Sequence, residues 1–162
     1  MTRRLLDPDR SRIRILASST LHPIHTDAAV RGWIDAGEPT DPAAGEIEFD
    51  LAGMRSGNPL VDREADRRLQ VKRYPVVTGR LTALTARPGE PGVFDGTGSL
   101  TFHGVTRTIH GVLRVDERDG VIGLTGTTTI DVTQFDVQPP SLLLVKVDKL
   151  VTIELEAFTA PS

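Results

Sequence analysis

The chain has 162 residues, no cysteine and a formal net charge of −3. That length suits one domain over residues 1–162, able to bury about two thirds of its unfolded surface. Apolar content of 38% beside 25% charged residues excludes a disordered chain, the missing thiols exclude disulfide frameworks and thiolate metal sites, and the slightly acidic balance leaves no electrostatic footprint for nucleic acid.

The opening "MTRRLLDPDRSRIRIL" is basic at its start but lacks the apolar run that completes an export signal. No stretch approaches the roughly 20 apolar residues of a membrane span, so the expectation is a cytoplasmic chain that does not insert in membranes. The next signal has a period of two. "SRIRILAS" sets Ile13, Ile15 and Ala17 on one face and Arg12 and Arg14 on the other, and "EIEFDL" alternates Glu46, Glu48 and Asp50 with Ile47, Phe49 and Leu51. "VTIELEA" repeats the pattern with Val151, Ile153, Leu155 and Ala157 inward. Alternation of this kind marks strands with one buried and one wet face, as in antiparallel sheets. Eight strands are expected, near 11–18, 28–36, 45–52, 76–86, 93–103, 105–115, 120–132 and 143–158. Loops fall at "DAGEPTDPAAG", "ARPGEPG", "DERDG" and "FDVQPPS".

One segment breaks the pattern. "GNPLVDREADRRLQVKRYP" offers Asn58 as N-cap, Pro59 at the first helical position, Asp62 and Glu64 early and Arg67 and Arg68 late. These predict a helix over 59–70 with Leu60, Val61, Ala65 and Leu69 as its apolar side, and Tyr74-Pro75 blocks its continuation. The fold class is therefore all-β with one helix, an antiparallel barrel or sandwich. The long last strand favours a curved sheet that wraps into a barrel.

"SLTFHGVTRTIHGVL" defines a hairpin by its own pattern. With His103-Gly104 as a two-residue turn, Phe102 opposes Val105, Leu100 opposes Arg107, Gly98 opposes Ile109, Gly96 opposes Gly111 and Phe94 opposes Leu113. That face is apolar or small, while Thr101 with Thr106, Ser99 with Thr108 and Thr97 with His110 form the polar one. A slip of one residue would scramble both faces. Gly96, Gly98 and Gly111 cluster inward, joined by Gly126 beside Leu124 if Ile122 faces in. They either open a cavity or relieve crowding where a strand bends. Arg107 is the one charge on this face; it either binds an anionic head group at a cavity mouth or snorkels to solvent.

The hairpin "GSLTFHGVTRTIHGVL" resembles the "G-x-L-T-x-x-G-V-T-(K/R)" signature of the YceI-like family. "LDPDRSRIRI", "GEIEFDL", "RYPVVTGRL" and "VDKLVTIELEA" are similar to that family's opening strand, its "G-x-I-x-F-D", its "Y-P" strand entry and its final strand, in the same order. The resemblance implies an eight-stranded lipocalin-like barrel with a helix over one end and an apolar interior that binds an isoprenoid, quinone or other lipid. Many members of that family are exported, and none is securely an enzyme. The helix departs from the family pattern: Ala65 and Arg68 stand where Arg and His are usual, and the Phe pair before "Y-P" is missing, which places any remodelling at the lid and barrel mouth.

Other chemistries are poorly served. His22 and His25 flank Pro23 in "LHPIH" and would need a third metal ligand from Asp27, His103 or His110. "G-x-S-x-G" and Walker-type motifs are absent, and "DGTGSLT" lacks the third glycine and the helix of a dinucleotide fingerprint. Trp33 shares the parity of Arg31 and so faces outward; Lys149 shares that of Val147 and Val151, so it points inward or sits beside a bulge. The reading is a non-enzymatic binder of an apolar molecule, with no cofactor, no catalytic residues and no metal. Its candidate ligand-binding residues are Ile13, Ile15, Phe49, Phe94, Gly96, Gly98, Leu100, Phe102, Arg107, Ile109, Leu113, Leu124, Val151 and Ile153. The alternatives are an enzyme using rim histidines His22, His25 or His103, and a packed barrel without ligand that acts as an interaction module, as a homodimer for instance.

Overall fold

The computed structural model describes residues 2–20, 23–36, 42–52, 54–139, 141–142 and 145–161. Its strands are β1 (Thr2–Leu5), β2 (Arg12–Ser19), β3 (Ile24–Ala29), β4 (Arg31–Ala36), β5 (Pro42–Asp50), β6 (Val76–Ala86), β7 (Val93–Phe102), β8 (Val105–Arg118), β9 (Val121–Asp131), β10 (Ser141–Leu142) and β11 (Val145–Phe158). They form one curled antiparallel sheet in the order β1-β4-β5-β6-β7-β8-β9-β11-β2-β3, with β10 paired to β11 outside that path. The mostly-β fold with one helix is as expected; the count of eight strands is corrected to eleven among the described residues.

The extra strands have local causes. The expected strand at 28–36 is two, because the chain changes partners at Val30. Arg12 pairs with Ala29 on one side of this residue, and Arg31 pairs with Glu48 on the other. Val30 itself is fully buried, and its N–H donates to the Ser11 carbonyl at 3.1 Å. This one covalent step joins the β2 side of the sheet to the β5 side, curling it toward a barrel. β1 adds to the far edge of β4, held by Arg3, whose guanidinium lies 3.6 Å over the Trp33 ring and bonds Asp35 at 3.0 Å. Trp33 thus lies on the outer side, half-covered by Arg3. Nothing in "TRRLL" alternates long enough to announce that strand. The loop expected at "DAGEPTDPAAG" is corrected at its flanks, since 35–36 belong to β4 and 42–45 to β5; residues 37–41 between them lie outside the described residues, as do 143–144 at the start of the expected last strand.

The hairpin register is the one the polar and apolar pattern demanded, from Val93 opposite Arg114 to Phe102 opposite Val105. His103 and Gly104 both have positive φ, 55° and 73°, the twist of a type I′ turn that suits right-handed strands. Lys149 is exposed beside a register shift between Val147 and Val151, so the bulge reading holds.

Helix α1 spans Pro59–Leu69. The Asn58 side chain accepts from the N–H groups of Leu60 and Val61, and Gln70 ends the helix in the left-handed region. The Val71 N–H returns to the Asp66 carbonyl, closing a Schellman-type stop. The chain therefore leaves the helix four residues before Tyr74-Pro75. Val61 is buried and Ala65 and Leu69 are half-buried, but Leu60 is 63% exposed, so it is removed from the apolar side. A 3-10 turn, η1 (Val132–Phe135), follows β9 and is capped by Asp131.

At the end away from α1, the chain ties itself across the sheet. The Leu6 N–H donates to the Gly32 carbonyl at 2.9 Å, Asp7 to Phe158 at 2.8 Å, and Leu6 bridges Thr159. Ser11 and Thr159 are fully buried, yet both hydroxyls are used: Ser11 Oγ accepts from Phe158 N, and Thr159 Oγ1 from Ile122 N. Buried polar groups in this position stabilise only because each finds its partner.

Candidate functional site

The inward glycines of the curled sheet differ in what surrounds them. A Cβ on Gly96 would meet Leu113, Gly111 and Leu84 at 3.5–3.6 Å, ordinary van der Waals contact, so a methyl fits there without displacing a neighbour. Gly98 and Gly111 differ. A Cβ there would stand 2.4 Å from the Arg80 carbonyl oxygen and 2.5 Å from that of Thr127, so these two permit close backbone approach. Gly98 sits where β6 bulges between Leu81 and Ala83. Close backbone approach therefore explains Gly98 and Gly111, and all three glycines border one interior cavity.

Two interior cavities result among the described residues, lined almost wholly by apolar atoms. The deeper, of about 170 Å³, is bounded by Ile13, Phe49, Gly96, Gly98, Leu100, Ile109, Leu113, Leu124 and Ile153. The second, of about 190 Å³, lies under α1 and is bounded by Ile15, Phe49, Leu100, Phe102, Val151 and Ile153. Twelve of the fourteen candidate residues thus converge on these spaces. Phe49, Leu100 and Ile153 border both, and all three are buried. They form a waist between a deep chamber and an α1 chamber.

Two candidates lie outside both chambers. Phe94 is buried, at 6% exposure, but lines neither chamber. Its position one pair from the β6–β7 connection, opposite Ala86 and Leu113, places it at the margin of the barrel. Arg107 is exposed, and its Nη1 donates to the Thr106 carbonyl at 3.2 Å. It keeps the register of Leu100, yet a guanidinium left unpaired among apolar groups costs several kcal/mol by the general rule. Its long stem carries the charge out to water instead.

The pattern also carried residues left out of the candidate ligand-binding set, several of them already on its inward faces. Ile34, Ile47, Leu155 and Ala157 line the deep chamber, and Ala17, Val77 and Ile130 the α1 chamber. Most share parity with a neighbouring candidate, so alternation alone would have found them. Leu6 also lines the deep chamber, and no periodicity flags it, because it lies outside the alternating strands.

The polar rim belongs to α1 and its approach. The Thr26 hydroxyl accepts from Arg55 N at 3.1 Å, and Asp62 accepts from Ser56 N at 2.8 Å. Glu64 accepts from Arg68 at 2.6 Å and also from Arg67, and these two guanidinium groups hold its carboxyl down at about 2. Arg68 and Asp66 border the α1 chamber.

The described histidines do not form the rim. His103 Nδ1 lies 3.1 Å from the Phe135 carbonyl oxygen, its Nε2 is 3.3 Å from Gln70 Nε2, and its ring meets Tyr74 edge-on at 5.0 Å. It fastens the hairpin tip to η1 and to the end of α1. His110 points outward and shares a hydrogen bond with Thr97 at 3.3 Å, as its parity indicated. His25 is exposed on β3. His22 lies outside the described residues.

Comparison with known proteins gives a consistent result. The sequence profile of the YceI-like domain matches residues 5–158. Among solved structures, Burkholderia cenocepacia BcnA superposes with a TM-score of 0.77 at 18% identity, covering 96% of this chain and 99% of its own. A Campylobacter jejuni YceI protein superposes with a TM-score of 0.62 at 18% identity over 82% of each chain. At such identity these structures speak to the fold. No curated protein matches the sequence significantly.

Proposed function

Because the chain belongs to the YceI-like family, we propose that it is a non-enzymatic carrier that holds an apolar ligand of the lipid or isoprenoid class inside its curled sheet. The observation that carries this reading is the pair of apolar chambers on the inner face, reached by residues from β2, β5, β7, β8, β9 and β11. Their walls are mostly apolar, with Glu46 and Arg80 also bordering the first chamber and Asp62, Asp66 and Arg68 the chamber under α1. Burial contributes about 0.8 kcal/mol per CH₂, and micromolar binding corresponds to roughly 8 kcal/mol. A medium-length apolar chain therefore suffices after the costs of association are met, with no catalytic group required.

The state of His103 favours a carrier over an enzyme. Both its ring nitrogens are engaged with Phe135 and Gln70, whereas a general base must present a free nitrogen to its substrate. Organic extraction of the purified protein followed by mass spectrometry tests the proposal. An apolar small molecule in near-stoichiometric amount is expected. An extract without one, together with no uptake of added apolar compounds by the stripped protein, overturns it.

A further inference from the structure

The outer face of α1 is positively charged and carries an exposed leucine. Six basic and three acidic residues lie between positions 54 and 75, in a chain whose formal charge is −3. Burial divides them by sign. Asp62, Glu64 and Asp66 are half-buried, whereas Arg55, Arg63, Arg67, Lys72 and Arg73 are exposed, so every exposed charge in this segment is positive. Two of the carboxylates are also engaged: Asp62 accepts from Ser56 N, and Glu64 accepts from Arg67 and Arg68. Arg63 and Lys72 have no ion-pair partner among the described residues. Val61, Ala65, Asp66 and Leu69 border the α1 chamber. With about 3.6 residues per turn, Leu60, Arg63 and Arg67 then form a stripe on the opposite side of the helix. Leu60 on that stripe is 63% exposed.

We propose that this face docks the protein on an anionic membrane surface, with Arg63, Arg67 and Lys72 among phospholipid phosphates and Leu60 at the boundary with the acyl chains. Basic side chains beside an exposed large apolar one are what a surface lying in the headgroup layer requires. The choice of a bilayer rests on the carrier reading above. The α1 chamber reaches water beside this face, where exposed Arg55 and Asp148 border it, and a molecule apolar enough to enter that chamber partitions into bilayers. An acidic protein would match the charges but would not supply the ligand. The far end of the sheet has the reverse sign: Asp116, Glu117 and Asp119 are exposed around the β8–β9 turn, with Arg118 as the one cation among them. A negatively charged surface therefore attracts the α1 end and repels the other, which fixes the orientation of approach. The attraction is screened over a Debye length of about 10 Å, so attachment is reversible and sensitive to salt.

The test uses the full chain and vesicles of phosphatidylcholine, alone or with about 30% phosphatidylglycerol, with binding read by flotation. Binding to the mixed vesicles alone is expected, and it should weaken as salt rises from about 0.05 M to about 0.3 M. Arg63→Gln combined with Lys72→Gln should weaken it about thirtyfold. Arg114→Gln combined with Arg118→Gln removes the same charge at the far end and should leave binding unchanged. Leu60→Gln should weaken binding without altering its salt dependence. Equal binding to both kinds of vesicle, or equal losses in the two double variants, overturns the proposal. So does the absence of vesicle binding; retention on a polyglutamate matrix that requires Arg63 and Lys72 would then assign the face to an acidic macromolecule. Flotation is read on protein stripped of ligand. Its failure therefore leaves the carrier reading standing, while an extract without apolar ligand beside intact docking counts against the carrier reading alone.

Discussion

His103 Nδ1 lies 3.1 Å from the carbonyl oxygen of Phe135, so the tip of the β7–β8 hairpin is tied to η1. A carbonyl can only accept, which places the ring proton on Nδ1 and leaves Nε2 to accept from the Gln70 amide. The same ring meets Tyr74 edge-on, and Phe102 next door meets Phe135 at 5.5 Å. His103→Ala removes a hydrogen bond and an aromatic contact and puts alanine at φ 55°. A loss of about 2–3 kcal/mol in urea unfolding is expected. His103→Asn tolerates the left-handed turn and should recover about 1 kcal/mol of that loss. Equal effects of the two variants would show that turn strain contributes nothing.

Gly98 and Gly96 are two residues apart on one strand and should respond oppositely to alanine. At Gly98 the new Cβ meets the Arg80 carbonyl oxygen at 2.4 Å, so backbone must move, and a cost of about 1–3 kcal/mol is expected. At Gly96 the nearest atom is 3.5 Å away, and alanine should raise stability by up to about 1 kcal/mol by restricting the unfolded chain. Paired denaturation curves decide the matter; comparable losses at both sites would contradict the room for a methyl at Gly96.

Asn58 caps the helix that covers the α1 chamber, accepting from Leu60 N at 3.0 Å and Val61 N at 3.3 Å. Asn58→Ala is expected to cost about 1 kcal/mol. Amide hydrogen exchange should quicken across residues 59–69 more than across β7 and β8. Uniform quickening over the whole chain would show that α1 does not open separately from the sheet.

Glu64 contributes a pH dependence with a definite sign. Its carboxyl is held at about 2, against an ordinary 4.5, by hydrogen bonds from Arg67 and then Arg68. A depressed folded-state value stabilises the fold above the unfolded value, near pH 4.5, and that contribution is lost as pH falls toward 2. Wild type should therefore exceed Glu64→Gln in stability at pH 6, and the difference should shrink between pH 4.5 and 2. A difference that stays constant through this window would refute the assignment.

Much of the architecture was legible before any coordinates. The hairpin register followed from pattern alone, since only one pairing of Ser99–Leu113 sorted polar from apolar residues, and the structure has that pairing. The bounds of α1 followed from Asn58 and Pro59 at one end. Its stop, expected at 70, falls within one residue of the observed end, where Gln70 turns left-handed. Leu60 and Arg107 show where the pattern falls short. Parity assigns a face, but at the end of an element that face already looks into water.

The sequence by itself determined what depends on near neighbours: the period-two strands, the I′ turn at His103-Gly104, the capped helix and twelve of the residues that meet inside. Tertiary structure alone decided the partner switch at Val30, the place of Leu6 in the deep chamber and the waist of Phe49, Leu100 and Ile153. The reason is geometric. Alternation states which side of a strand a residue occupies, whereas the space between opposite walls depends on how far the sheet curls. That curvature is set by contacts among residues about 150 positions apart, such as Ser11 with Phe158 and Leu6 with Thr159.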